Sequence, residues 1–120
     1  MQDRSTNVKV SEVAGPAGEP IMVLRFSGDI TSTSKTAVLG AYQAVPRELK
    51  RILLDFTKVE YLNSSGIALI IQMLMEAGKA GQCIHAFGLS PHFRKVFTMV
   101  GITKYTGLHT DERAACAAFE

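Results

Sequence analysis

At 120 residues, with 47% apolar and 20% charged residues, the chain has the size and make-up of one globular domain, able to bury a real core but not two. A net charge of +2, the lack of Trp and the scatter of the basic residues give no footprint of a nucleic-acid binder; the small groups Arg47-Lys50-Arg51 and His92-Arg94-Lys95 read as solvated faces. Residues 1–7 lack the apolar core of a signal peptide and no apolar run approaches the ~18 residues of a spanning helix, so a cytoplasmic protein with no membrane association is expected.

One domain over 1–120 is expected, with residues 1–6 a disordered or loosely attached N-terminus. Residues 7–13 alternate weakly and predict a strand, Gly15-Pro16-Ala17-Gly18-Glu19-Pro20 a turn, and 21–26 a second strand, together an opening hairpin. A loop over 28–33 follows, in which Thr31, Ser32, Thr33 and Ser34 are candidate N-caps. Ala37, Val38, Ala41 and Val45 trace one face of the next helix, which Pro46 closes.

Ile52-Leu53-Leu54-Asp55-Phe56 is a short, continuous apolar strand. After it, Ile67, Ile70, Ile71 and Leu74 recur at helical spacing, predicting a long helix from Ser65 to about Ala80, ended by Gly81. Residues 82–87 predict another strand. Pro91 starts a helix with Phe93, Val96, Phe97 and Val100 on one side, stopped by Gly101. A short strand near 105–108 and a helix over 111–118 complete the chain. Strands alternating with helices after a hairpin argue for an α/β domain: a mixed β-sheet of about four to five strands packed against about four α-helices.

Ser64 stands where the buried strand ends and the long helix begins. From spacing alone it is a helix N-cap, worth about 1 kcal/mol, with Ser64→Ala expected to cost some stability. A helix N-terminus also welcomes an anion, so a phosphate on this hydroxyl would leave the helix intact while adding roughly −1.5 to −2 charges. Sites in open sheets of this kind gather at the carboxyl ends of strands, which makes Asn63, Ser64 and the early loop expected neighbours. Gly66 leaves the first turn bare for another protein to approach. Leu69 and Met73 lie off the core stripe and are expected to expose apolar surface beside Ser64.

Catalytic and ligand motifs fail on inspection. Gly88-Leu89-Ser90 begins like a nucleophile elbow, but His92 stands where the closing Gly belongs. Gly78-Lys79 lacks the rest of a phosphate-binding loop, and the sequon Asn63-Ser64-Ser65 has no route to glycosylation in a cytoplasmic chain. His85, His92 and His109 are dispersed and read as surface or strand histidines. Cys83 and Cys116 lack metal or disulfide spacing and read as small packed hydrophobes. No catalytic residue, metal or cofactor is expected.

The stretch Asp55-Phe56-Thr57-Lys58-Val59-Glu60-Tyr61-Leu62-Asn63-Ser64-Ser65-Gly66-Ile67 resembles the signature of STAS domains of the bacterial anti-anti-sigma factor family. Farther on, Gly88-Leu89-Ser90-Pro91 and Val96-Phe97-Thr98-Met99-Val100-Gly101-Ile102 resemble that family's strand-to-helix segment and the helix ending after it, and Gly28-Asp29-Ile30 supplies an early turn. The resemblance implies a non-enzymatic anti-sigma factor antagonist that works by partner switching. Unphosphorylated, it would bind an anti-sigma factor that is also a serine kinase of the histidine-kinase-like ATPase type, freeing the sigma factor. Phosphorylation at Ser64, with Ser65 the alternative acceptor, would block that binding, and a PP2C-type serine phosphatase would restore it. The implied partner-binding set is Asn63, Ser64, Ser65, Gly66, Leu69, Met73, Gly28, Asp29, Thr31 and Ser32. The family's Asp before the serine pair is Asn63 here, and Thr31 stands where it often has another Asp. A constitutive scaffold or small-ligand-binding module, or a switch acting on secretion or biofilm formation, is the alternative.

Overall fold

The computed structural model describes residues 5–119. Its elements are β1 (Asn7–Ala14), β2 (Pro20–Ile30), α1 (Lys35–Gln43), β3 (Arg51–Leu62), α2 (Ser64–Lys79), β4 (Cys83–Phe87), α3 (Pro91–Met99), β5 (Gly107–His109) and α4 (Glu112–Ala117), with short 3-10 turns at Ser32–Ser34 and Ile102–Lys104. The five strands lie in chain order, β1 antiparallel to β2 and the rest parallel. The mixed sheet and helices expected from the sequence are therefore present.

The apolar pattern assigns each helix to a face. Leu24, Phe26, Ile52, Leu54, Phe56, Ile84 and Ala86 pack with α1, α2 and α3 in the main core, where Phe26 stacks on Phe56 and Phe97 meets Phe56 edge-on. Alternate residues of the same strands, Ile21, Val23, Leu53 and Phe87, form a smaller cluster with Ala115 and Phe119 beneath α4. This two-sided burial is why 52–56 reads as an apolar run interrupted only by Asp55. Arg25 ties α4 to the sheet: its guanidinium donates to Asp55 and Glu112 at 2.8 Å each, and these bonds, Glu112 first, raise its pKa.

Two strands run farther than predicted. β4 pairs with β3 only as far as Phe87 and Asp55, beyond which β2 is the neighbour that continues. Thr57, Lys58, Glu60 and Tyr61 are exposed there, so the apolar signal stops although the ladder does not. Register shifts between Arg25 and Ser27 and between Gly28 and Asp29 put two extra residues into β3. Gly28, expected in a loop, lies inside β2 at φ 81°. Gly88, at φ 87°, lies against the first of these bulges: a Cβ there would stand 2.5 Å from Thr57 Oγ1 and 2.7 Å from its backbone N.

Residues 1–4 of the predicted loose N-terminus lie outside the described residues. Thr6 is tethered, its hydroxyl donating to the Asp29 carbonyl at 2.6 Å and bonding Ser34 Oγ. Cys83 is exposed and Cys116 half-buried, so the expectation of two packed thiols fails at Cys83, which opens β4 at the rim of the sheet.

A buried polar network joins α1 to the segment entering β4. Tyr42 donates to Gln82 Oε1 at 2.6 Å, and Gln82 Nε2 donates to the Leu49 carbonyl at 3.0 Å. Tyr42→Phe strands the Gln82 oxygen and is expected to lower stability by about 1–2 kcal/mol in urea unfolding; an unchanged midpoint would show that the network contributes nothing.

Candidate functional site

The site is built where β2 and β3 end together. Ile30 pairs with Leu62, and the residue after each, Thr31 and Asn63, caps the helical turn that follows. Asn63 is extended, at φ −101° and ψ 179°, and its Oδ1 accepts the Gly66 N–H at 2.9 Å. Its carbonyl accepts the Ile67 N–H at 2.9 Å, and its own N–H donates to the Ile30 carbonyl at 3.3 Å. Asn63 is thus the N-cap of α2 and Ser64 the first helical residue, correcting the assignment of the cap to Ser64. Asn caps as well as Asp does without adding a charge.

Gly66 is buried, and a Cβ on it would fall on the Ile30 carbonyl oxygen. Its bareness therefore serves contact within the chain, where the tip of β2 touches the first turn of α2, and it offers no approach to another protein. Ser64 and Ser65 remain exposed beside it, with no acidic residue in the turn.

Across this contact lies the loop after β2. Thr31 caps the 3-10 turn at Ser32–Ser34 through a reciprocal capping box: its side chain accepts from the turn's backbone, and the Thr31 N–H donates to Ser34 Oγ at 2.8 Å. Ser34 is buried, while Ser32 and Thr33 face solvent. Gly28 and Asp29 are half-buried in the last turns of the ladder. The structure so brings together Gly28, Asp29, Thr31, Ser32, Asn63, Ser64 and Ser65 at one end of the sheet. Thr6 and Ser34 belong to the same constellation and were missed. Ser34 carried a signal in its capping-box spacing from Thr31, whereas the Thr6 contact spans 28 residues and leaves no local trace.

Leu69 and Met73 do not contribute surface. They are 8% and 0% exposed, because α2 is buried on two sides, against the sheet and beside α1. The outward stripe is instead Ser64, Ser65, Ala68, Gln72 and Met75.

The arrangement presents hydroxyls and the positive end of a 16-residue helix to solvent, chemistry suited to accepting an anionic group. Among the described residues no three metal-ligating side chains come together, and no helix is long and apolar enough to cross a membrane.

A family model described as "Mlab, STAS domain" matches residues 17–110. No curated protein matches. Among solved structures, an anti-sigma factor antagonist from Mycobacterium paratuberculosis superposes with a TM-score of 0.75 at 20% identity, over 98% of this chain and 96% of that one. The Bacillus cell fate determinant SpoIIAA in its phosphorylated form gives 0.60 at 20% identity, over 89% and 95%. A sulfate transporter family protein from Wolinella succinogenes gives 0.70 at 12% identity, over 89% and 88%. These likenesses establish the shared fold.

The capping geometry separates residues that the sequence leaves equivalent. Asn63→Ala is expected to cost about 1 kcal/mol, Ser64→Ala under about 0.5 kcal/mol, and Gly66→Ala more than either, since backbone must move to admit the Cβ. Thermal or urea unfolding of the three variants checks the order; Ser64→Ala proving the costliest would overturn the cap assignment.

Proposed function

The chain belongs to the STAS-domain family, and from that premise we propose that it is an anti-sigma factor antagonist switched by phosphorylation at Ser64. The observation that carries this reading is the division of labour at the start of α2. Asn63 holds the cap and Gly66 holds the contact with Ile30, so the exposed Ser64 hydroxyl is spared a structural duty. The fold likeness to an anti-sigma factor antagonist and to SpoIIAA solved in a phosphorylated form supports it.

In this reading an anti-sigma factor with ATP-dependent serine kinase activity docks on the end of the sheet formed by Thr31, Ser32, Asn63, Ser64 and Ser65. ATP belongs to that kinase, of the histidine-kinase-like ATPase type. The Ser64 hydroxyl attacks the γ-phosphoryl group, ADP leaves, and the hydroxyl proton passes to a base of the kinase. The product dianion sits at the helix N-terminus, where the first-turn N–H groups and dipole favour it, so the fold tolerates the modification while the interface gains up to two negative charges. Against an acidic or apolar partner surface that charge costs several kcal/mol of binding. A PP2C-type phosphatase resets the serine. Ser65, also exposed and one residue along, is the alternative acceptor.

A second reading is a constitutive scaffold. It is favoured by Asn63, which lacks the family's negative charge, and by the fold likeness to a sulfate transporter family protein.

The two readings part in a quantitative pull-down from native lysate with Ser64→Ala and Ser64→Glu baits, after circular dichroism shows both folded. A serine kinase held by the Ala bait and depleted from the Glu bait is the expected result. Equal partners on both baits would leave the scaffold reading standing.

A further inference from the structure

The second face of the sheet carries a pair of side chains that the Ser64 site does not use. His85 on β4 and His109 on β5 point to the same face, with Nδ1 of His85 2.9 Å from Nε2 of His109 and ring centroids 5.0 Å apart. At that distance one ring donates its N–H and the other accepts, so each imidazole fixes the other's tautomer. Phe119, just after α4, meets the His85 ring edge-on at 4.7 Å. Gly107 lies between the rings: a Cβ there would stand 2.6 Å from His85 Nδ1 and 3.0 Å from His109 Nε2. The pair thus ties two short pieces, a three-residue edge strand and the chain after a six-residue helix, to β4, an inner strand of the sheet.

We infer that the His85–His109 pair is an acid-sensitive latch holding α4 and β5 on the sheet. One added proton is tolerated, because an imidazolium still donates to a neutral imidazole. A second proton puts two N–H donors and two positive charges face to face, which ends the bond. Burial, and next the charge of His109, already push the His85 pKa down.

The surrounding charges do not relieve this. On α4, Glu112 is engaged with Arg25, the Asp111 cap accepts the Ala114 N–H, and Arg113 is cationic. On β3, Asp55 is held by Arg25, and Arg51 is paired with Glu19 at 3.9 Å. β4 adds the Cys83 thiol, α4 the Cys116 thiol, and α3 sends Arg94 to the Leu108 carbonyl at 3.5 Å. No carboxylate among the described residues is committed to the imidazoles.

The sign follows from proton uptake. A histidine held below its ordinary pKa leaves the unfolded or opened form binding more protons, so the latch is fully effective above the ordinary histidine range. It weakens as pH falls through that range toward the lowered value. For each proton taken up on opening, the opening constant rises about tenfold per pH unit in that window.

The test is amide hydrogen exchange and imidazole nitrogen NMR on the whole chain between pH 7.5 and 5. Protection factors over 112–117 are expected to fall about tenfold per pH unit below the ordinary histidine range, with His85 titrating below its ordinary value. His109→Gln, which keeps a hydrogen-bonding group without a titrating one, should make the pH dependence shallower, leaving the part that burial of His85 causes, while α4 stays protected at pH 7.5. Titration of His85 at its ordinary value in the unaltered chain would overturn the latch. So would an unchanged pH profile in a folded His109→Gln variant.

Discussion

Everything at the candidate site depends on how closely the tip of β2 meets the first turn of α2. The Ile30 carbonyl accepts the Asn63 N–H and lies where a Cβ of residue 66 would be, so only glycine lets the strand end and the helix start share that space. This contact sets the direction in which α2 leaves the sheet and places the loop carrying Thr31 and Ser32 beside Ser64. It also lets Asn63 do the capping, which leaves Ser64 exposed and free of that duty.

The sheet separates two mechanical systems. On one face α1, α2 and α3 share a large core with buried aromatic stacking, which gives the Ser64 end a rigid base. On the other a small apolar cluster and the Arg25 bonds hold the short α4. In the two proposals, a charge added at Ser64 would act on a partner docked there, while acid would act on the lightly held far side. The two proposed inputs would reach different surfaces of one domain.

Much of this was legible in the chain because local rules dominated. The run 52–56 announced a buried strand, Pro91 opened α3 as a first residue should, and Gly81 and Gly101 ended their helices in left-handed backbone. What stayed hidden was decided by contacts distant in sequence. β3 continues to Leu62 because β2 is there to pair with it, not because its residues are apolar. Leu69 and Met73 lay off the periodic stripe, yet α2 is covered on a second side. Cap and serine were confused because Asn63 and Ser64 are both good capping residues and only the backbone angles distinguish them. The histidines at 85 and 109 had no motif spacing, since parallel pairing of β4 with β5 is what brings them together.

The central claim is that charge on Ser64, and not loss of fold, governs partner binding. Its most direct test is calorimetric titration of the purified kinase partner into the unmodified chain and into a chain carrying phosphoserine at position 64, both shown folded by their spectra. The account predicts binding weakened by at least about 30-fold, which corresponds to ~2 kcal/mol or more. Equal affinity of the two folded forms would contradict it.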